Sequence, residues 1–92
     1  MTMPRLEKTF IIVNNLGLHA RPAAQLVQAA NRHRSETAFT KDGTTVNAKS
    51  IMGVLTLAAS KGSQLTVTCE GEDAEAALAT IGKMIEAGFG ER

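Results

Sequence analysis

Most features that would disclose the role of a small protein are scarce or missing in this chain. Cysteine occurs once, at Cys69, which excludes an internal disulfide and leaves a cysteine-built zinc site without ligands. Aromatic residues are three Phe, with no Trp or Tyr, so a surface that stacks single-stranded nucleic acid has nothing to be made from. Charge of one sign is not in excess. The formal balance is +1, too even for general attraction to nucleic acid or lipid headgroups. No apolar run approaches the roughly 20 residues that a membrane span needs. The first residues also lack the charged, apolar and small-residue blocks of a secretory leader. A chain of 92 residues has room for one hydrophobic core, so a single domain over 1–92 is expected, soluble and cytoplasmic. No cofactor, metal, nucleic acid or membrane insertion is expected.

What is present is a regular succession of strand and helix patterns. Leu6 to Val13 (LEKTFIIV) is rich in β-branched and apolar residues, which predicts a strand. Asn14 to Leu18 carries turn chemistry. From Ala20 to about His33, Ala23, Leu26, Val27 and Ala30 recur at helical spacing, and Arg32 and Arg34 supply the charge that a helix C-terminus prefers. Glu36 to Lys41 and Thr44 to Ala48 flank Asp42-Gly43, a two-residue turn that favours a tight antiparallel hairpin. Ser50, a preferred N-cap, opens a short helix over Ile51 to Leu57 whose Ile51, Val54, Leu55 and Ala58 read as an inward stripe. Leu65 to Cys69 alternates as a half-buried strand does. Gly71-Glu72-Asp73 ends that strand and puts an acidic residue near the positive end of the last helix. Ala74, Ala77, Leu78, Ile81, Met84 and Ile85 form its buried stripe, and Gly88 and Gly90 end it, leaving a short tail. The order β-α-β-β-α-β-α predicts an α+β open-faced sandwich, a four-stranded and mainly antiparallel sheet with its helices on one face.

Chemistry concentrates in the run Asn15-Leu16-Gly17-Leu18-His19-Ala20-Arg21-Pro22-Ala23-Ala24. Gly17 lets the loop bend, and Pro22 suits a helix's first turn, where its missing N–H has no intrahelical partner. His19 then falls at or beside the N-cap, where outward-pointing amides and the helix dipole favour an attached anion. Imidazole is a nucleophile that switches near neutral pH, and Arg21 adds a forked cation that fits phosphate oxygens. No carboxylate or serine partner lies near in sequence, so a hydrolytic triad has no support. Zinc fails as well, with His33 the only other histidine. A lone histidine in a small domain is more often structural or merely solvated; the surrounding residues favour a phosphoryl group that is picked up and handed on.

Leu16-Gly17-Leu18-His19-Ala20-Arg21-Pro22-Ala23 resembles the active-site signature of the HPr family, the histidine phosphocarriers of the bacterial phosphotransferase system. Asn47-Ala48-Lys49-Ser50-Ile51-Met52-Gly53-Val54-Leu55 resembles that family's regulatory-serine motif, and the likeness runs from about Leu6 to Gly88. The resemblance implies that His19 accepts a phosphoryl group on Nδ1 from phosphorylated enzyme I and donates it to a IIA-type acceptor. Arg21 and the backbone N–H groups of Ala20 and Arg21 are then expected to hold the phosphate. Such a protein is a stoichiometric carrier rather than an enzyme, and the chain has no Walker loop or metal ligands of its own for phosphoryl transfer. Ser50, an N-cap on the residues alone, becomes by resemblance a target of HPr kinase/phosphorylase. Its added charge of roughly −1.5 to −2 falls beside an apolar docking patch. Ala20, Ala24, Ile51, Met52 and Leu55 are the expected partner-binding residues, with Met52 the most exposed. Two other readings remain: a carrier of the nitrogen-related branch with a mainly regulatory role, and a docking module that presents phospho-Ser50 to a transcriptional regulator. A monomer is expected. His33 reads as a solvated helix-end residue, Cys69 as packing, and Arg32, Arg34, Lys49 and Lys61 as ordinary surface charge. Gln28 and Asn31 stand where some family members carry lysines, which thins any basic patch.

Overall fold

The structure, a computed structural model, describes residues 3–91. The β-branched run forms strand β1 (Arg5–Ile11), the helical pattern forms α1 (Ala20–Asn31), and the Asp42-Gly43 turn joins β2 (Glu36–Lys41) to β3 (Thr44–Asn47). Helix α2 (Ile51–Thr56), strand β4 (Gln64–Glu70), helix α3 (Ala74–Glu86) and a 3-10 turn at Gly88–Gly90 complete the chain. Asp42 and Gly43 both have positive φ (50° and 81°), the backbone that a two-residue hairpin of this twist requires.

The sheet order is β1-β4-β2-β3 and every pairing is antiparallel. Each helix therefore returns the chain to the same side of the sheet, and α3 packs on β1 and β4 while α1 packs against α2 and α3. Phe10, Phe39, Leu65, Val67 and Cys69 face those helices and are buried. The opposite face is polar: Thr9 bonds Thr66 across β1 and β4 at 2.9 Å, and Thr40 bonds Thr45 across the hairpin at 2.8 Å. The expected open-faced sandwich is the observed one. No helix among the described residues is long and apolar enough to cross a membrane.

The differences from the sequence reading lie at element ends. β1 stops at Ile11 rather than Val13, because Ile12 turns its N–H to Ser63 O (3.0 Å) and receives Gly62 N–H (2.7 Å), which ties it to a loop. α1 ends at Asn31, with Arg32 as its C-cap and no basic residue in its last turn, so Arg34 lies beyond the helix it was expected to close. Only Val54 is buried in α2. Ile51 and Leu55 are each 37 % exposed, and Ala58 leaves the helix with φ +49°; six residues are too few to carry a four-residue inward stripe. In α3 the buried residues are Ala74, Ala77, Ile81, Gly82 and Ile85, with Leu78 and Met84 only half-buried.

Candidate functional site

The loop from Asn14 to Leu18 is held before it reaches the helix. Gly17 N–H donates to Asn14 O (3.2 Å), and Leu18 N–H donates to Ala59 O (2.8 Å) in the segment that follows α2. Gly17 sits at φ +66°, and a Cβ there would press into the Ala59 carbonyl and lie 2.8 Å from Ser60 Cα. Only glycine makes this close approach. The result is a fixed path into α1, with His19 as its extended N-cap (φ −74°, ψ −173°).

The first turn of α1 is arranged by what it cannot donate. Ala23 N–H bonds His19 O at 3.0 Å, Pro22 has no N–H, and Ala20 and Arg21 hold the remaining first-turn amides, which have no intrahelical acceptor. Ala20 and Arg21 are exposed. The His19 side chain retains 34 % of its surface, so it is neither buried among aliphatic neighbours nor fully in solvent.

One group was invisible to sequence reasoning. Glu91, 72 residues further along the chain, puts Oε1 2.6 Å from His19 Nε2. The same oxygen accepts from Asn14 Nδ2 at 3.0 Å, and Asn14 Nδ2 also reaches Gly17 O at 2.8 Å. The hydrogen bond from His19 holds the Glu91 carboxyl below its usual range; the Asn14 amide and the Arg21 charge add to this, against an opposing effect of partial burial. The expected short tail is in fact folded back: Glu91 N–H donates to Gly88 O (3.0 Å) and Gly90 N–H to Ala87 O (3.3 Å), and Phe89 is buried. Nothing in the local pattern of Gly88-Phe89-Gly90-Glu91 signals this, because the pairing depends on tertiary closure. A carboxylate accepts only, so the proton of the contact belongs to His19 Nε2. Nδ1, the other ring nitrogen, makes no hydrogen bond among the described residues.

Helix α2 packs against α1, and several apolar residues of α2 and of the loop before α1 are exposed. Met52 is 69 % exposed and Leu16 71 %; Leu16 was not among the expected contact residues. Ile51 and Leu55 of α2 are exposed as well, as is Ala20, and Ala24 is half-buried. Ser50 caps α2, its Oγ accepting Gly53 N–H at 3.2 Å. Remaining residues settle into structural positions. His33 is half-buried rather than solvated, its Nδ1 2.9 Å from Ala29 O. Lys49 Nζ donates to His33 O (3.0 Å) and Lys61 Nζ to Asn15 Oδ1 (2.9 Å). Cys69 is buried, which raises its thiol's pKa, and Thr37 Oγ1 lies 3.7 Å from its sulfur. Among the described residues no group of three or more His, Cys, Asp or Glu could hold a metal ion.

Comparison with known proteins shows which family the chain resembles. A family model described as PTS HPr component phosphorylation site matches residues 6–87. Phosphocarrier protein HPr of Xylella fastidiosa (strain 9a5c) is 45 % identical over 86 residues, 94 % of this chain and 97 % of that protein. Phosphocarrier protein HPr of Treponema pallidum (strain Nichols) is 48 % identical over 84 residues, 91 % of this chain and 96 % of that protein. The crystal structure of HPr-C-His from Thermoanaerobacter tengcongensis superposes with a TM-score of 0.91 at 45 % identity, covering 95 % of this chain and 98 % of that one.

Proposed function

The chain belongs to the HPr family, the phosphocarriers of the phosphotransferase system, and from that premise we propose that His19 is its phosphoryl acceptor, charged at Nδ1 by phosphorylated enzyme I and discharged to IIA-type domains. The observation that supports this is the placement of one partly exposed imidazole as the N-cap of α1, beside the open amides of Ala20 and Arg21. In the transfer, the Nδ1 lone pair forms a bond to phosphorus while the donor's nitrogen–phosphorus bond breaks and the donor nitrogen keeps the electron pair. The Ala20 and Arg21 amides and the Arg21 guanidinium receive the phosphoryl oxygens. An anion at a helix N-terminus is stabilised by about 0.3–2 kcal/mol, and about 1.4 kcal/mol shifts an equilibrium tenfold. That tunes a shuttle without trapping its cargo.

The exposed Leu16, Ala20, Met52 and Leu55 serve in this reading as the docking surface, and flexible Met suits a patch that meets several partners. Ser50 is the regulatory site, modified by a kinase of the HPr kinase/phosphorylase type. A phosphate there sits at the N-terminus of α2, where the fold tolerates it, and sets about −1.5 to −2 charge against the apolar patch. It lowers affinity for enzyme I by electrostatics and desolvation, without refolding. Incubating the protein with enzyme I and phosphoenolpyruvate tests the carrier. The intact mass rises by one acid-labile phosphate in the wild type and stays unchanged in His19→Ala; a wild type that gains none rules the carrier out.

A further inference from the structure

Strand β1 is an outer strand of the sheet, paired with β4 on one side and with no other strand among the described residues. At one end Gly71 N–H donates to Pro4 O, and at the other Ile12 N–H donates to Ser63 O. The alternation of an antiparallel ladder therefore turns the backbone groups of Leu6, Lys8 and Phe10 toward β4. Those of Arg5, Glu7, Thr9 and Ile11 point outward, and none of them has a backbone partner elsewhere among the described residues. An open edge of this kind is a template for one more strand.

The edge borders a groove of about 340 Å³ between β1 and α3. Leu6 and Phe10 line it from the strand, Leu78 and Gly82 from the helix. Gly82 lets the Phe10 ring lie directly on the helix backbone, since a Cβ there would come 2.7 Å from Phe10 Cζ. Lys8 and Lys83 line the groove too, one from each wall, with Lys8 Nζ 5.1 Å from the centre of the Phe10 ring. Among the described residues neither lysine has a carboxylate at ion-pair distance. Glu75 and Glu86 flank the groove in the first and last turns of α3, which confines a bound carboxylate to the space between the lysines.

We propose that the β1 edge and this groove bind an extended segment of a partner protein as an added strand. Its backbone exchanges hydrogen bonds with Arg5, Glu7, Thr9 and Ile11. Its groove-facing side chains are apolar beside Leu6 and Phe10 and acidic between them, where Lys8 and Lys83 are left without a counter-charge. In this mode main-chain bonds supply affinity and the alternate side chains supply choice. A second copy of the chain fits poorly: two β1 strands paired antiparallel over their whole length set Lys8 directly opposite its counterpart, like charges facing. No lining residue of the groove belongs to α1, α2 or the loop before α1, so a bound segment leaves His19 open. The proposal does not depend on the carrier reading.

The probe is the acetylated and amidated heptapeptide Thr-Val-Thr-Glu-Thr-Val-Thr, which presents the same side-chain pattern in either strand direction. At millimolar concentration with the full chain it is expected to shift the amide resonances of β1 and α3 but not those of His19 or α2. Hydrogen exchange at the N–H groups of Glu7 and Thr9 is expected to slow. The same peptide N-methylated at its two middle threonines keeps the groove-facing side chains, loses the donors that face β1, and is expected not to bind. Thr9→Pro removes an outward N–H without costing a bond to β4 and is expected to lose the peptide while the rest of the spectrum is preserved. Lys8→Glu combined with Lys83→Glu is expected to weaken binding about fivefold and to favour a peptide with Lys at its centre. A heptapeptide that leaves β1 unshifted, or an N-methylated form that binds equally well, overturns the proposal. Protection of Glu7 and Thr9 that grows with protein concentration in the absence of peptide assigns the edge to a second copy and overturns the choice of partner.

Discussion

At the scale of single residues, the site depends on the backbone as much as on the imidazole. Gly17 is the clearest case, since its φ of +66° and the nearness of the Ala59 carbonyl each exclude a side chain. Gly17→Ala is expected to lose about 1–2 kcal/mol from the left-handed backbone alone, and more from the clash, which urea denaturation will measure. Because Leu18 N–H bonds Ala59 O from the adjacent position, the loop must move and carry His19 with it; the same variant is expected to accept phosphate more slowly even where it remains folded. Much of this was legible in the sequence. Gly17, His19 and Pro22 announce a bend, a cap and a first turn through local rules. Glu91 could not be read, since its contact with His19 arises only when Phe89, at φ +58° and buried, turns the chain back toward the loop.

Helices show where local rules lose to packing. The Ser50 cap and the start of α2 follow from residue preference, and the structure has both. The inward stripe assigned to Ile51, Leu55 and Ala58 was wrong because a six-residue helix presents one buried position, Val54, and leaves its other apolar residues on the surface. In α3 the missed core residue is Gly82. A Cβ there would come 2.7 Å from the Cζ of Phe10, so the glycine counts as core by making room for a ring, and an apolar pattern cannot register that. The short length of α2 also makes its cap informative. Ser50→Ala removes the bond from Gly53 N–H and is expected to cost about 0.5–2 kcal/mol. Ser50→Asp keeps a good cap and adds only charge. It is therefore expected to match wild type in urea midpoint and backbone chemical shifts while slowing transfer from enzyme I. Unchanged transfer would refute the electrostatic account of Ser50.

Over the whole molecule, the helices must stay registered on the sheet for His19, Glu91 and the patch on α2 to keep their places. One carboxylate does much of this. Asp73, the residue before α3, gives no cap bond to its own helix. Its oxygens instead accept from the Ser35 hydroxyl and from the backbone N–H groups of Arg34 and Ser35 at 2.9 Å each, so the entry to α3 is tied to the connection between α1 and β2. The Ser35 hydroxyl chiefly, then the Arg34 and Ser35 amides, lower the Asp73 pKa from an ordinary 3.8 to about 2. A carboxylate with a depressed folded-state pKa binds its proton more readily in the unfolded chain, so its stabilisation is full above the unfolded value and is lost as pH falls toward the folded one. Glycine serves the same junction, since a Cβ on Gly71 would lie 2.8 Å from Ser35 Cα. Asp73→Asn leaves two amide donors facing a neutral group that bonds them less well. Its urea midpoint at pH 7 is expected to fall below that of wild type. The gap should narrow between about pH 4 and pH 2, as wild type is protonated and loses what the variant never had. A gap that stays constant across that window would mean that the Asp73 link works through shape alone and that charge contributes nothing.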